Sequence, residues 1–155
     1  MNVAPGGIIR RYEHRDARQV AALIANTLLV SNTGSYSLEE VQRLAQGYSS
    51  ATLDGLSRHA KVWVYVEGER IQGMVCLDRD TIQALFVAPD RQRRGIGRAL
   101  LGIAEEAARR RGRGEISVPA SLTAVEFYEH VGFRSLGPGR SSGGVLIERM
   151  SKSLP

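Results

Sequence analysis

The sequence predicts an α+β fold built on one mixed sheet, and three observations carry that prediction. Residues 61–87 read as three consecutive strands joined by tight turns, an antiparallel meander. Residues 81–112 read as strand, Arg/Gly turn and long helix, and the short strand at 114–118 is reached across that helix, so it should run parallel to the strand before it. A helix at 122–131 and two further strands follow, so the order is that of a mixed sheet and not of a doubly wound one. At 155 residues the chain is long enough for a sizeable core, and one domain over 1–155 is the expectation.

Each element has a local reason. Ile8 to Tyr12 reads as a first strand. Asp16 with Gln19 three residues on is a capping-box pattern, opening a helix whose apolar face is Val20, Leu23, Ile24, Thr27 and Leu28. Ser37 with Glu40 is a second such pattern, opening a helix through about Tyr48, and 50–58 has room for a further helical turn or two. Val62, Val64 and Val66 alternate with Trp63 and Tyr65, and Glu67-Gly68-Glu69 is a hairpin turn into the strand at 70–77. Thr81 to Val87 is the central strand, ended by Pro89. Ile96, Ala99, Leu100, Ile103, Ala104, Ala107 and Ala108 form one helical face, and Gly112 is the expected left-handed cap. Pro119 is expected to end the next strand, Ser121 to cap the helix at 122–131, and Gly132 to close it. Gly137 to Gly144 reads as a loop between strands beginning at Phe133 and Val145.

Composition narrows the function. No apolar run approaches the ~20 residues of a membrane span, and the first fourteen residues lack an apolar secretory core, so a cytoplasmic protein without membrane contact is expected. The lone cysteine, Cys76, falls in a strand and reads as a small buried apolar residue. The formal net charge is +5, with much of the positive charge crowded into residues 91–113. A phosphate-bearing cofactor explains that cluster as well as a nucleic acid does, and the basic run lacks interleaved aromatics or a helix-turn-helix signature, so no nucleic-acid partner is expected.

The turn Gln92-Arg93-Arg94-Gly95-Ile96-Gly97 carries the chemistry. Unpaired N–H groups and the positive dipole end at a helix start favour an anion, and two glycines permit close approach. A tight connection with a solvated basic face would look similar. No Gly-Lys-Ser/Thr follows, which excludes a P-loop, and Leu100 stands where a dinucleotide fingerprint needs its third glycine. Gly139-Arg140-Ser141-Ser142-Gly143 matches a nucleophile-elbow pattern but precedes a strand, with no histidine downstream. His14, His59 and His130 lack ligand-like spacing with each other or with Cys76, so no metal site is expected. In Phe127-Tyr128-Glu129-His130-Val131-Gly132-Phe133, the two phenylalanines read as core, while the Tyr128 hydroxyl could serve as a donor at a cleft.

Together these stretches resemble the GNAT N-acetyltransferase superfamily. The turn after Leu85-Phe86-Val87-Ala88-Pro89 is similar to its acetyl-CoA motif, Q/R-x-x-G-x-G/A, and residues 124–133 resemble its second motif at the right distance downstream. The resemblance extends over about residues 8 to 150 and implies the family's acyl-CoA N-acyltransferase fold, about seven strands and about four helices with the fourth and fifth strands splayed apart by a bulge near Val87. It implies a pyrophosphate on the backbone of Arg93, Arg94, Gly95, Ile96 and Gly97, with Arg98 and Ala99 at the helix start and Gln92 within the motif. It implies a pantetheine arm on the backbone of Phe86 and Val87, with Ser121 bonding the arm where the family often has Asn, and Phe127 beside the cofactor. The Val87 N–H would polarise the thioester and Tyr128 would protonate the departing thiolate, both as catalytic groups.

The implied activity is acetyl transfer from acetyl-CoA, as cosubstrate and without metal, to a primary amine by direct attack. Thr81 and Gln83 stand where many members carry a strand-four carboxylate, and Asp78 and Asp80 lie on the preceding turn, so no single side chain is expected to act as base. A small-molecule amine is the favoured acceptor; a protein amine and a non-catalytic acyl-CoA sensor are the alternatives. Acceptor specificity should come from residues 29–60 and 137–144, and Tyr36, Tyr48 and Trp63 read as lining or packing residues. Relatives are often dimers, so a homodimer stays open, although no long apolar face demands one.

Overall fold

The computed structural model describes residues 6–155, so the first residues of the N-terminal stretch discussed above lie outside it. A seven-stranded sheet runs in the order β1-β2-β3-β4-β5-β7-β6, with β1 Gly7–Arg11, β2 Lys61–Glu67, β3 Arg70–Asp78, β4 Thr81–Val87, β5 Glu115–Ser121, β6 Arg134–Arg140 and β7 Leu146–Ser153. All neighbours are antiparallel except β4 and β5, which are parallel, as the helical crossover between them requires. Among the described residues there are five α-helices: α1 Ala17–Ser31, α2 Leu38–Gln46, α3 Ser50–Ser57, α4 Ile96–Arg110 and α5 Val125–His130.

The helices cover both faces of the sheet, and β3 is buried on both. On one face Val20, Leu23, Ile24 and Leu28 of α1 pack on Val62, Val64, Met74 and Cys76, with Leu53 of α3 beneath. On the other, Ile96, Leu100, Leu101 and Ala104 of α4 pack on Val75, Leu77 and Ile82, beside Tyr128 and Phe133. Each such large apolar side chain contributes about 1.5–3 kcal/mol by leaving water. Cys76 is fully buried, and burial pushes its thiol up to about 12, so it acts as core and not as a nucleophile. Gly73 in β3 lets α4 lie close: a Cβ there would stand 3.0 Å from a Leu100 methyl and 3.3 Å from Ile96.

Several local expectations are corrected. Asp16 precedes α1 but makes no side-chain cap on it; its carboxylate accepts from the Arg10 guanidinium at 2.8 and 3.0 Å and from the Glu13 N–H at 2.8 Å. Gln19 instead bridges to the β2–β3 hairpin, accepting from the Ile71 N–H and donating to the Glu69 carbonyl. The Ser37/Glu40 box forms as read, with both reciprocal bonds in place. Ser121 makes no side-chain cap; the Leu122 N–H is taken by the Tyr36 hydroxyl, which also donates to the Leu146 carbonyl. Residues 137–140 are strand and not loop, since Pro138 sits on the edge strand β6, where its missing N–H costs no ladder bond.

Pro119 does not end β5 but lies within it, opposite Arg149 of β7. The Leu154 N–H donates to the Gly114 carbonyl, and in an antiparallel ladder bonded pairs alternate, which turns the nitrogens of 117, 119 and 121 away from β7 and toward β4. Ser117 uses its N–H there, donating to the Asp80 carbonyl at 2.9 Å. Position 119 has no N–H to give. The β4–β5 ladder accordingly has one paired position, Thr81 with Ser117, whose side-chain oxygens also lie 3.2 Å apart. Beyond it the strands diverge.

Candidate active site

The divergence is reinforced from the β4 side. Cys76 pairs with Ala84 and Leu77 with Ile82, so Gln83 is an extra residue, and the bulge sits there and not near Val87. From 84 to 88 the register is regular, and the Ala88 N–H donates to the Gln72 carbonyl at 2.8 Å. Alternation then turns the backbone of Phe86 toward β3 and that of Leu85 and Val87 into the gap. The strand edge offered to a ligand is therefore Leu85 and Val87; Phe86 presents its side chain to the opposite face, edge-on to Tyr48 with ring centroids 5.5 Å apart. The Val87 carbonyl is taken by the Gln92 side-chain amide at 3.0 Å, which ties the following turn to the strand end.

That turn is shaped by two left-handed residues, Arg93 at φ 64° and Gly95 at φ 83°. The first N–H bonded back at the helix start is that of Ala99, to the Gly95 carbonyl. The N–H groups of residues 93–98 have no hydrogen-bond partner among the described residues, and no side chain caps α4. A row of orphan donors at the positive end of a fifteen-residue helix is an anion cradle. A Cβ on Gly97 would meet Phe127 at an ordinary 3.4 Å, so packing alone does not demand glycine there. Arg93, Arg94 and Arg98 are exposed and carry no carboxylate partner among the described residues, whereas Arg91 is committed to Glu67 at 2.7 Å and Asp90 at 3.1 Å.

Two cavities meet in the gap. The larger, about 740 Å³, runs from the turn (Gln92, Arg93, Gly95, Gly97, Arg98) past Leu85 and Val87 to α5. The smaller, about 310 Å³, opens between Leu44, Tyr48, Gln83 and the β6–β7 turn. They share Leu85, Phe86, Ser121, Ala124 and Tyr128. Tyr128 is buried, its ring held edge-on between Phe127 and Phe133 with centroids 5.2 Å from each, and its hydroxyl has no hydrogen-bond partner among the described residues. Burial drives its phenol well above the ordinary tyrosine range, so it remains a donor at every physiological pH.

An acetyltransferase (GNAT) domain model matches residues 32–154. The chain belongs to the GNAT acetyltransferase family. It is 29% identical over 128 residues to the uncharacterized N-acetyltransferase YafP of Escherichia coli (strain K12), covering 83% of this chain and 81% of that one. Its fold is similar to that of a GCN5-related N-acetyltransferase from Rhodopseudomonas palustris, with a TM-score of 0.91, 24% identity and 99% of each chain covered. It is also similar to that of the PaiA N-acetyltransferase from Thermoplasma acidophilum in complex with coenzyme A, with a TM-score of 0.79, 18% identity, and 95% and 98% covered. The enzyme is thus an acetyl-CoA-dependent N-acetyltransferase, and the orphan donors and the open strand edge suit a pyrophosphate followed by an amide-bearing arm.

Within the GNAT domain, the residues singled out from sequence fall into two groups. Phe86, Val87, Gln92, Arg93, Gly95, Gly97, Arg98, Ser121, Phe127 and Tyr128 line the larger cavity. Arg94 and Ala99 do not, and Ile96 is buried in the core at 1% exposure, leaving only its N–H to the site. Leu85 was missed, although strand alternation from Val87 would have found it. The end of α1, with Thr27, Ser31 and buried Asn32, also lines this cavity, and nothing local in the sequence signals that. Tyr48 lines the smaller cavity and donates to the Gln83 carbonyl at 3.0 Å, with desolvation pushing its phenol up to about 12. Tyr36 ties β7 to the turn before α5, and Trp63 packs on the α4 face under Arg11; neither lines either of these two cavities. Among the described residues no three His, Cys, Asp or Glu side chains group as metal ligands, and no helix is long and apolar enough to cross a membrane. Pro119→Val in this acetyltransferase restores an N–H facing β4; the expected result is a longer β4–β5 ladder and severalfold weaker acetyl-CoA binding by calorimetry, without loss of melting temperature.

Proposed function

We propose that the enzyme transfers the acetyl group of acetyl-CoA to the primary amine of a small molecule by direct attack on the thioester. The observation that carries this reading is the meeting of the two cavities at Tyr128, one below an anion cradle and the other open to an acceptor. The backbone N–H groups of residues 93–98 would hold the pyrophosphate, with Arg93, Arg94 and Arg98 around it. The Val87 N–H, next to the turn, would pair with the pantetheine arm as in an added strand, with Ser121 opposite. The Leu85 N–H, where the two cavities meet beside Tyr128, would polarise the thioester carbonyl. The C–N bond forms as the C–S bond breaks; the Tyr128 hydroxyl donates to the departing sulfur, and the amine proton leaves to solvent.

No Asp, Glu or His lines the smaller cavity, and Asp78 and Asp80 lie at the closed end of the splay, where the Asp80 carbonyl holds Ser117. The acceptor therefore enters neutral or loses its proton to water. Glu126 and His130 line only the larger, cofactor-side cavity and are exposed. A screen of small amines for thiol release from acetyl-CoA tests the reading; acetyl-CoA binding without release to any amine would overturn it. Gly95→Val puts a β-branched residue at φ 83°, a conformation costing about 1–2 kcal/mol. The expected consequence is about tenfold or more weaker acetyl-CoA binding, and wild-type affinity would show that the turn does not hold the cofactor.

A further inference from the structure

The charge of the smaller cavity is one-sided. Of the residues lining it, Arg140 alone is charged. The rest of its wall is uncharged: apolar at Leu28, Leu44 and Ile147 among others, an amide at Gln83, and hydroxyl-bearing at Tyr48 and at Ser141 and Ser142, which follow the arginine in the chain. A pocket that selected its acceptor through the ammonium charge would place a carboxylate here, and this one places a cation.

Arg140 ends β6, paired with Leu146 across a closed turn. The turn is tied by three bonds: the Ser141 N–H to the Val145 carbonyl at 2.8 Å, the Gly144 N–H to the Ser141 carbonyl at 2.9 Å, and the Val145 N–H to the Ser141 hydroxyl at 3.1 Å. Nη1 of Arg140 donates to the Gly144 carbonyl at 3.0 Å, which sets the direction of the side chain. No carboxylate pairs with it among the described residues. A guanidinium has five donors in a planar fork, and the others remain to meet an oxyanion.

Building on the acceptor reading of this cavity, we infer that the acceptor carries an oxyanion beside its amine, as an amino carboxylate or an amino phosphonate does, and that Arg140 binds that group. The arrangement also serves the chemistry. A guanidinium near the amine disfavours its charged form and so eases loss of the amine proton to water, while the acceptor's own anion offsets the repulsion on entry. At about 310 Å³ the cavity lies at the small end of ligand sites, which suits a molecule the size of an amino acid.

The test uses matched acceptors: leucine, its 1-aminoalkylphosphonate and 3-methylbutylamine, with the phenylalanine series alongside, assayed for thiol release by wild type and Arg140→Met. The expected result is a preference for an anionic member over the bare amine of about tenfold or more in kcat/KM, the worth of a charge-assisted hydrogen bond. Arg140→Met should bring that ratio near one, Arg140→Lys should keep part of it, and coenzyme A affinity should be the same in all three proteins. The carboxylate and phosphonate arms tell which oxyanion fits. Bare amines acetylated as well as their anionic partners, or a ratio unmoved by Arg140→Met, would overturn the inference while leaving the acetyltransferase reading intact. Absence of release from every member by protein that binds coenzyme A would sink both readings. Independently of turnover, N-acetylleucine should bind the wild-type–coenzyme A complex more tightly than N-acetyl-3-methylbutylamine does.

Discussion

Tyr128→Phe is expected to lower kcat by about 100-fold, with coenzyme A affinity and melting temperature unchanged. The hydroxyl makes no hydrogen bond among the described residues, so its removal costs the fold little, and phenylalanine keeps the edge contacts with Phe127 and Phe133. The figure sits at the low end for acid catalysis for a reason. Burial raises the phenol, while a thiolate has an ordinary pKa of about 8.5, so full transfer from this tyrosine is uphill and its contribution is a hydrogen bond that strengthens as charge builds on sulfur. The same direction sets the pH profile. The acid form is the working one and is lost only as pH rises through a value above 10, so kcat/KM should show no descending limb below about pH 10. The ascending limb should move with the acceptor's own amine pKa, since no carboxylate or histidine lines the smaller cavity. Turnover within twofold of wild type would remove Tyr128 from the mechanism.

Asp16→Asn is expected to cost about 2–3 kcal/mol, because Asp16 accepts charge-assisted bonds from Arg10 in a nearly dry position. For a domain of this size that is a fall in Tm of roughly 4–12 °C. Burial by itself would raise the Asp16 carboxyl, but the bonds from Arg10 and the Glu13 N–H outweigh it and hold it below the usual carboxylate range. A depressed carboxylate stabilises the fold fully above its unfolded value, about 3.9, and the stabilisation is lost as pH falls through the lower folded value. Urea titrations should therefore show the full gap between variant and wild type at pH 7 and a narrowing gap below about pH 4. A gap independent of pH would mean that the loss is one of packing and not of charge. The effect on function is indirect: Arg10 and Asp16 join β1 to the start of α1, the helix whose other end lines the larger cavity.

Two prolines depart furthest from what their local sequence predicts. Pro119 reads as the end of a strand and Pro138 as part of a loop. Both lie in strands, because each nitrogen points where no ladder bond is made. At Pro119 that direction is the splay itself, so a residue read as punctuation belongs to the device that holds the cleft open. The bulge was expected near Val87 from the resemblance; the register puts the extra residue at Gln83 and so exchanges the backbone of Phe86 for that of Leu85 at the cleft.

The order of elements, the apolar face of the crossover helix α4, the left-handed caps at Gly112 and Gly132 and the pairing of two family motifs were all determined by the sequence alone. Such features depend on residues close in the chain, where spacing and backbone preference suffice. The tertiary structure alone decided which backbone edges face the gap, that Gln92 holds Val87, that the end of α1 joins the site, and that Arg140 is the one charge in the smaller cavity. These depend on strand register and on contacts between distant segments, and a one-residue shift in register reverses every side chain and every N–H along a strand.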